Sequence, residues 1–150
     1  MFTKTLFTLL IIATSFLGVS QKKSAHNIGS FAGVTDGFGL SYRYWPGKFG
    51  IQVTTAPMYF GKKNKFINIG FTGLYTIKDK NIVDLYGYVS NAIYISNNNS
   101  IYNIGGGLGT KIDFYENLNF NLQFGYGALI LNSENQIYTI IGGAGLYYHF

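Results

Sequence analysis

A chain of 150 residues that is 47% hydrophobic and only 11% charged has too little charge to cover a soluble domain, which ordinarily carries about a quarter charged residues. The formal net charge of +5 is too modest to indicate a nucleic-acid partner, and with no cysteine there is neither a disulfide framework nor a thiolate metal site. The 13 Tyr, 13 Phe and 20 Gly favour strands, aromatic girdles and tight barrel interiors instead.

The chain begins with Lys4 ahead of an apolar run from Leu6 to Leu17, then Gly18-Val19-Ser20, with small residues where a signal peptidase reads. Residues 1–20 therefore read as a cleaved secretory signal, and residues 21–150 as one mature domain. The apolar run is short of the ~20 residues of a spanning helix and is interrupted by Thr8, Thr14 and Ser15. No later segment approaches that length, so a membrane-spanning fold requires a closed barrel, which alone satisfies its strand backbones internally.

The mature chain divides into eight segments of alternating character. The first, His26 to Val34, is Gly-rich, and Thr35-Asp36-Gly37 makes a tight turn, Asp-Gly being a hairpin signal. The second, Phe38 to Trp45, sets Phe38, Leu40, Tyr42 and Tyr44 against Gly39, Ser41, Arg43 and Trp45, and Pro46-Gly47 ends it. The third, Lys48 to Phe60, sets Phe49, Ile51 and Val53 against Gly50, Gln52 and Thr54; Pro57 withholds a ladder donor, which predicts a bulge or a frayed end.

Residues 61–65 read as a loop, followed by a fourth strand from Phe66 to Ile77. After the turn at 78–81, the fifth runs from Ile82 to Ser96, with Val83, Leu85 and Val89 opposite Asp84, Tyr86, Tyr88 and Ser90. A polar tip at 97–100 precedes the sixth strand, Ile101 to Phe114, with Ile104, Leu108 and Ile112 opposite Gly105, Gly107, Gly109, Lys111 and Asp113. The seventh alternates most cleanly: Leu118, Phe120, Leu122, Phe124 and Tyr126 face away from Asn119, Asn121, Gln123 and Gly125. After a polar loop at 132–136, the eighth covers Ile137 to Phe150, with Tyr138, Ile140, Leu146, Tyr148 and Phe150 opposite Ile141, Gly143, Tyr147 and His149. The fold class read from this pattern is all-β, an eight-stranded antiparallel up-and-down transmembrane barrel.

A soluble barrel would also alternate, with its oily phase turned inward and its charged phase facing water. Here the less oily phase is Gly, Ser, Thr, Asn, Gln and Tyr, which makes a poor soluble exterior and a reasonable packed interior. Charges within strands keep that phase: Arg43, Asp84, Lys111 and Asp113 all lie opposite the oily residues. None falls on the proposed lipid face, where a midplane Lys or Arg costs about 2–4 kcal/mol.

The secretory signal, the eight alternating segments and an ending of Leu146-Tyr147-Tyr148-His149-Phe150 resemble the small outer-membrane β-barrels of Gram-negative bacteria, the OmpX and OmpA-barrel type. The resemblance implies outer-membrane localisation and a terminal strand read by the barrel assembly machinery, with Leu146, Tyr148 and Phe150 as its signal. The very short connections depart from relatives whose long outer loops serve adhesion.

With the N-terminus in the periplasm, the connections at 34–37, 61–65, 97–100 and 132–136 face outward and the other three face the periplasm. Arg43, Asp84, Lys111 and Asp113 then form an interior charge cluster near the periplasmic end, paired because unpaired buried charges are costly. Lys62, Lys63 and Lys65 mark the outer side, where a solvated tip is the plain reading and contact with lipopolysaccharide phosphates the functional one. The two histidines, His26 and His149, lie near opposite chain ends with no nucleophile and orienting group set beside them in the pattern, so neither a catalytic residue nor a metal site nor a cofactor is assigned. Gly105 to Lys111 lacks the ending and the following helix of a phosphate loop. The expected partners are outer-membrane lipids, lipopolysaccharide and the assembly machinery, without nucleic acid. The expected function is a structural or interaction role; the alternatives are a narrow solute pore, a lipid A-modifying enzyme and a secreted lipocalin-like binding barrel.

Overall fold

A computed structural model describes residues 25–60, 64–80, 82–96, 99–132 and 135–150. The segment read as a signal, residues 1–20, and the loop residues Lys62 and Lys63 lie outside the described residues. Eight strands follow one another: β1 (His26–Gly33), β2 (Gly37–Tyr44), β3 (Phe49–Phe60), β4 (Asn64–Lys78), β5 (Val83–Ser96), β6 (Asn99–Tyr115), β7 (Leu118–Asn132) and β8 (Asn135–His149). Each pairs antiparallel with its neighbour in sequence, and β1 pairs with β8 to close the barrel. Closure removes the free edges that an open sheet of this composition would carry.

The hairpin ends differ from the sequence reading. Asn64 and Lys65, expected in a loop, pair with Phe60 and Tyr59. Likewise Asn99 pairs with Ser96 and Asn135 with Asn132, so the strands run further into their tips than their polar composition suggested. Polar side chains break the alternation pattern but not the backbone ladder, whose hydrogen bonds need only the N–H and C=O groups.

The wall is uneven. At the end carrying the β1–β2, β3–β4, β5–β6 and β7–β8 connections, here the tip end, β1 pairs with β8 only as far as Gly33↔Gly143 and β2 with β3 only as far as Leu40↔Thr55. The β3–β4 and β7–β8 ladders continue to Phe60↔Asn64 and Asn132↔Asn135. The wall is therefore notched above the β1–β2 hairpin. Pro57 sits on this stretch of β3: the β3–β4 register runs through Pro57↔Ile67 unshifted, while the β2 ladder has already stopped at Thr55. No bulge forms; the proline occupies an edge, where a missing N–H breaks no ladder bond.

Burial is inverted relative to a soluble domain. Among the described residues, the buried set holds fifteen polar or charged side chains and eight apolar or aromatic ones. The outward phase exposes Leu40, Phe49, Phe71, Leu108, Tyr126 and Ile140, with Val89 and Phe124 at 68% and 67% exposure. The period of two in each strand puts these residues on one surface and the polar ones in the lumen.

Candidate functional site

The lumen is where the sequence places its unusual chemistry, because inward positions of β2, β3, β5, β7 and β8 carry long polar or aromatic side chains while inward glycines of β6 leave them room. Arg43, 1% exposed, is the centre of this filling. Its Nε and Nη2 donate to Gln52 Oε1 at 3.1 and 2.6 Å, and its Nη1 donates to Asn121 Oδ1 at 2.6 Å. Asn121 passes the chain on, its Nδ2 donating to Asn119 Oδ1 at 2.7 Å, and Asn119 Nδ2 donates to Asn27 Oδ1 at 3.2 Å. Gln52 Nε2 reaches Thr54 Oγ1 at 3.2 Å, and Ser41 Oγ lies 3.0 Å from Thr54 Oγ1 and 2.8 Å from the Tyr147 hydroxyl.

Aromatic rings box the guanidinium. Its carbon lies 4.2 Å from the Tyr147 ring centre, 5.5 Å from Trp45 and 6.0 Å from Tyr86, within the range of cation–π attraction. Trp45 meets Tyr86 edge to face at 5.1 Å. This layer spans the lumen with buried side chains from β2, β3, β5, β7 and β8.

The four charges expected to cluster are divided. Lys111 Nζ lies 2.6 Å from Asp84 Oδ2 and 3.4 Å from Asp113 Oδ2, and Asp84 faces Lys111 in the β5–β6 register. Arg43 is not in that group: its hydrogen-bond partners are the amides of Gln52 and Asn121. The one ammonium takes both carboxylates, and the guanidinium, a planar fork of five donors, bonds instead to amide oxygens. Lys111, Asp84, Asp113, His149, Trp45 and Glu116 line an open vestibule of about 1030 Å³ at the end of the barrel where β1 begins and β8 ends.

The terminal strand places Leu146 and Tyr148 outward and exposed. Phe150 N donates to the His26 carbonyl at 3.1 Å, and the Phe150 and His26 rings stack with centres 6.1 Å apart. His26 Nδ1 is 2.6 Å from the Tyr42 hydroxyl, and the His26 ring centre is 5.0 Å from that of Tyr44, so this histidine belongs to the outer aromatic belt at the β1–β8 seam. Lys65 is in β4 at the tip end, one residue from the start of that strand.

One feature of the lumen has no counterpart in the sequence reading. The β1–β2 turn, expected as an outward loop, folds into the barrel, where Thr35 and Asp36 are buried. Thr72 Oγ1 donates to Asp36 Oδ1 at 2.8 Å, Thr35 Oγ1 to Asp36 Oδ2 at 3.2 Å, and Ser90 Oγ to Thr35 Oγ1 at 2.8 Å. Asn103 Nδ2 donates to the Val34 carbonyl at 2.8 Å, and the Tyr94 hydroxyl is 3.0 Å from the carbonyls of both Gly33 and Val34. Phe38, expected on the oily outer face with Leu40, turns inward and stacks on Phe66 at 5.6 Å and near Tyr94 at 6.3 Å. The cause is local: Gly37 and Gly39 adopt φ of +79° and +119°, values that only glycine adopts readily, and they bend the limb so that Phe38 leaves the alternation.

No family model matches the chain, and no curated protein does. Among solved structures, the de novo designed TMB2.3, determined by NMR in solution, is 12% identical over 88% of this chain and 98% of its own, with a TM-score of 0.49. Ail, the attachment invasion locus protein of Yersinia pestis, is 20% identical over 85% of this chain and 97% of its own, with a TM-score of 0.42. At these values the likenesses carry no functional argument, and the barrel assignment rests on the closed ladder itself.

Proposed function

We propose that this chain is a small integral outer-membrane β-barrel with a packed polar interior and a structural or interaction role rather than a catalytic one. The observation that carries the reading is the inversion of the barrel: exposed Leu, Ile, Val, Phe and Tyr cover the outside while Arg43, Gln52, Asn119 and Asn121 are buried within. A closed strand barrel is the one β architecture that satisfies its backbone in hydrocarbon, and an apolar exterior with aromatic borders suits lipid. The border at the terminal end consists of Tyr44, Phe49, Tyr75, Phe114, Tyr115 and Tyr148, all exposed.

In this reading the chain termini face the periplasm, Leu146, Tyr148 and Phe150 serve as the signal for the barrel assembly machinery, and Lys62, Lys63 and Lys65 meet either water or lipopolysaccharide phosphates at the outer side. The Arg43 layer favours a plugged interior over a pore, since an eight-stranded barrel is just wide enough for side chains to fill. A lipid A-modifying enzyme would alter the mass of lipid A between cells with and without the protein, and no such change is expected.

Membrane fractionation of cells expressing the chain tests the assignment. The protein should be recovered with the outer membrane and resist extraction by salt. Recovery as a soluble periplasmic protein would overturn it.

A further inference from the structure

The inward β1–β2 turn is held differently from every other part of the lumen filling. Arg43, Gln52 and Asn121 project from strands fixed on both sides by ladders. By contrast, the β1–β8 ladder stops at Gly33 and the β2–β3 ladder starts at Leu40, so the tip between them belongs to a hairpin paired only with itself. One further backbone bond reaches the wall, a long one of 3.4 Å from Val34 N to the Gly142 carbonyl. All its other described polar ties to the wall involve side chains: Ser90 to Thr35, Thr72 to Asp36, Asn103 and Tyr94 to the Val34 carbonyl, and Asn68 to both N and O of Phe38. Water can replace each of them at modest net cost.

The wall is nonetheless shaped to this turn. A Cβ on Gly70 would overlap the Asp36 carbonyl, and Cβ atoms on Gly105 and Gly127 would lie 3.0 and 3.1 Å from Thr35 Cγ2. Glycines on β4, β6 and β7 thus form a cradle that accepts the turn. Asp36 itself is 2% exposed, and among the described residues no cation lies within ion-pair distance of it. Burying a carboxyl group whose hydrogen-bond partners are hydroxyls, with no ion-pair partner beside it, is costly, and hydration would relieve that cost. The notch left where β3 and β8 continue without β1 and β2 between them gives the turn a way out that breaks no ladder.

We propose that the β1–β2 turn is a removable stopper, docked in a glycine cradle and able to swing out through the notch. Its withdrawal opens the tip half of the lumen to water as a polar cup lined by Asn68, Thr72, Ser90, Tyr94 and Asn103. The Arg43 layer stays in place below, so the opened state is a cup rather than a channel. Gly37 and Gly39, at positive φ on one limb of the hairpin, supply the bend.

The chain contains no cysteine, so a single introduced thiol reports on the cup without background. Ala92 is the reporter: it is buried, faces the lumen and pairs directly with Gly70. Ala92→Cys in the folded full barrel, reconstituted in phosphatidylcholine vesicles, should react slowly but completely with a membrane-impermeant methanethiosulfonate. Adding Gly70→Ala, which crowds the cradle, should raise that rate by about tenfold or more, an overpacking penalty expressed as a shift of the docked equilibrium. Equal rates, or no reaction in either variant, would overturn the proposal. If Gly70→Ala fails to assemble, spin labels at Val34→Cys and Ile104→Cys in the otherwise native barrel decide it: two distance populations support the stopper, and a single narrow one refutes it.

Discussion

The guanidinium of Arg43 lies 4.2 Å from the centre of the Tyr147 ring, although 104 positions separate the two residues in the chain (147 − 43). The contact joins β2 to β8, the two strands that flank β1, and the same guanidinium reaches Gln52 on β3 and Asn121 on β7. One side chain thereby ties four of the eight strands.

Arg43→Met should therefore destabilise the barrel by about 3 kcal/mol or more, because it strands the buried amides of Gln52 and Asn121 that now accept from a charge. Arg43→Lys should recover little of this, since a point charge cannot reproduce the fork that grips Gln52 Oε1 with two nitrogens. Urea unfolding in detergent micelles, followed by far-ultraviolet circular dichroism, measures both.

Lys111 holds two carboxylates, Asp84 and Asp113. Replacing it by Met leaves two like charges facing each other and should cost about 1–2 kcal/mol, less than the roughly 3–5 kcal/mol of a fully buried pair because the vestibule is open to water. Neutralising both carboxylates in the same background, with Asp84→Asn and Asp113→Asn, should restore most of the loss. The same urea titration reads it, and failure of the rescue would count against the pairing.

Gly109 on β6 and Gly142 on β8 occupy opposite faces of the wall. A Cβ on Gly109 would overlap the Tyr86 ring, so Gly109→Ala should cost about 1–3 kcal/mol through overpacking. Gly142 faces outward with its nearest neighbour atom 3.5 Å from an added Cβ, and Gly142→Ala should be close to neutral. Thermal shifts of the two variants should differ accordingly.

The plugged interior predicts that purified protein in planar bilayers gives no steady openings, in the native chain or in Asp84→Ala. Steady openings of the native chain that Asp84→Ala abolishes would show the vestibule charges gating a pore.

Much of this architecture was legible in the sequence because strand period and lumen chemistry coincide from β3 to β8: Asn119, Asn121 and Gln123 alternate with Leu118, Phe120, Leu122 and Phe124, and only one register buries the first set. The adjacency of Asp84 and Lys111 followed from counting along two consecutive strands. The turn at Thr35-Asp36-Gly37 shows where such reading stops. An Asp-Gly pair announces that the chain reverses, but whether the tip points out or in depends on where the neighbouring ladders end and on the cradle glycines of β4, β6 and β7. Those are long-range properties, and they also carried Phe38 from the outer face to the lumen. Arg43 was legible as an inward charge, but its amide partners, 9 and 78 positions away, are set by barrel closure and not by local pattern.

The outward face offers a test of its solvent. Phe124, exposed midway along β7, should tolerate replacement by Lys in a soluble barrel, whereas in a bilayer Phe124→Lys should cost about 2–4 kcal/mol. Folding yield into lipid vesicles at rising urea measures the difference.

Deletion of Phe150 removes the residue whose backbone N bonds to the His26 carbonyl and whose ring stacks on His26 at the closing seam. It should reduce assembly into the membrane in cells; unchanged assembly would leave this strand end without a role as signal.

The barrel is inside out, with apolar side chains outside and polar ones buried, and refolding reads that inversion. Residues 21–150 diluted from urea into detergent micelles should gain strand structure and migrate faster on an electrophoresis gel unless boiled, while dilution into plain buffer should yield aggregate. A folded, monomeric barrel in plain buffer would mean that the apolar exterior does not face lipid.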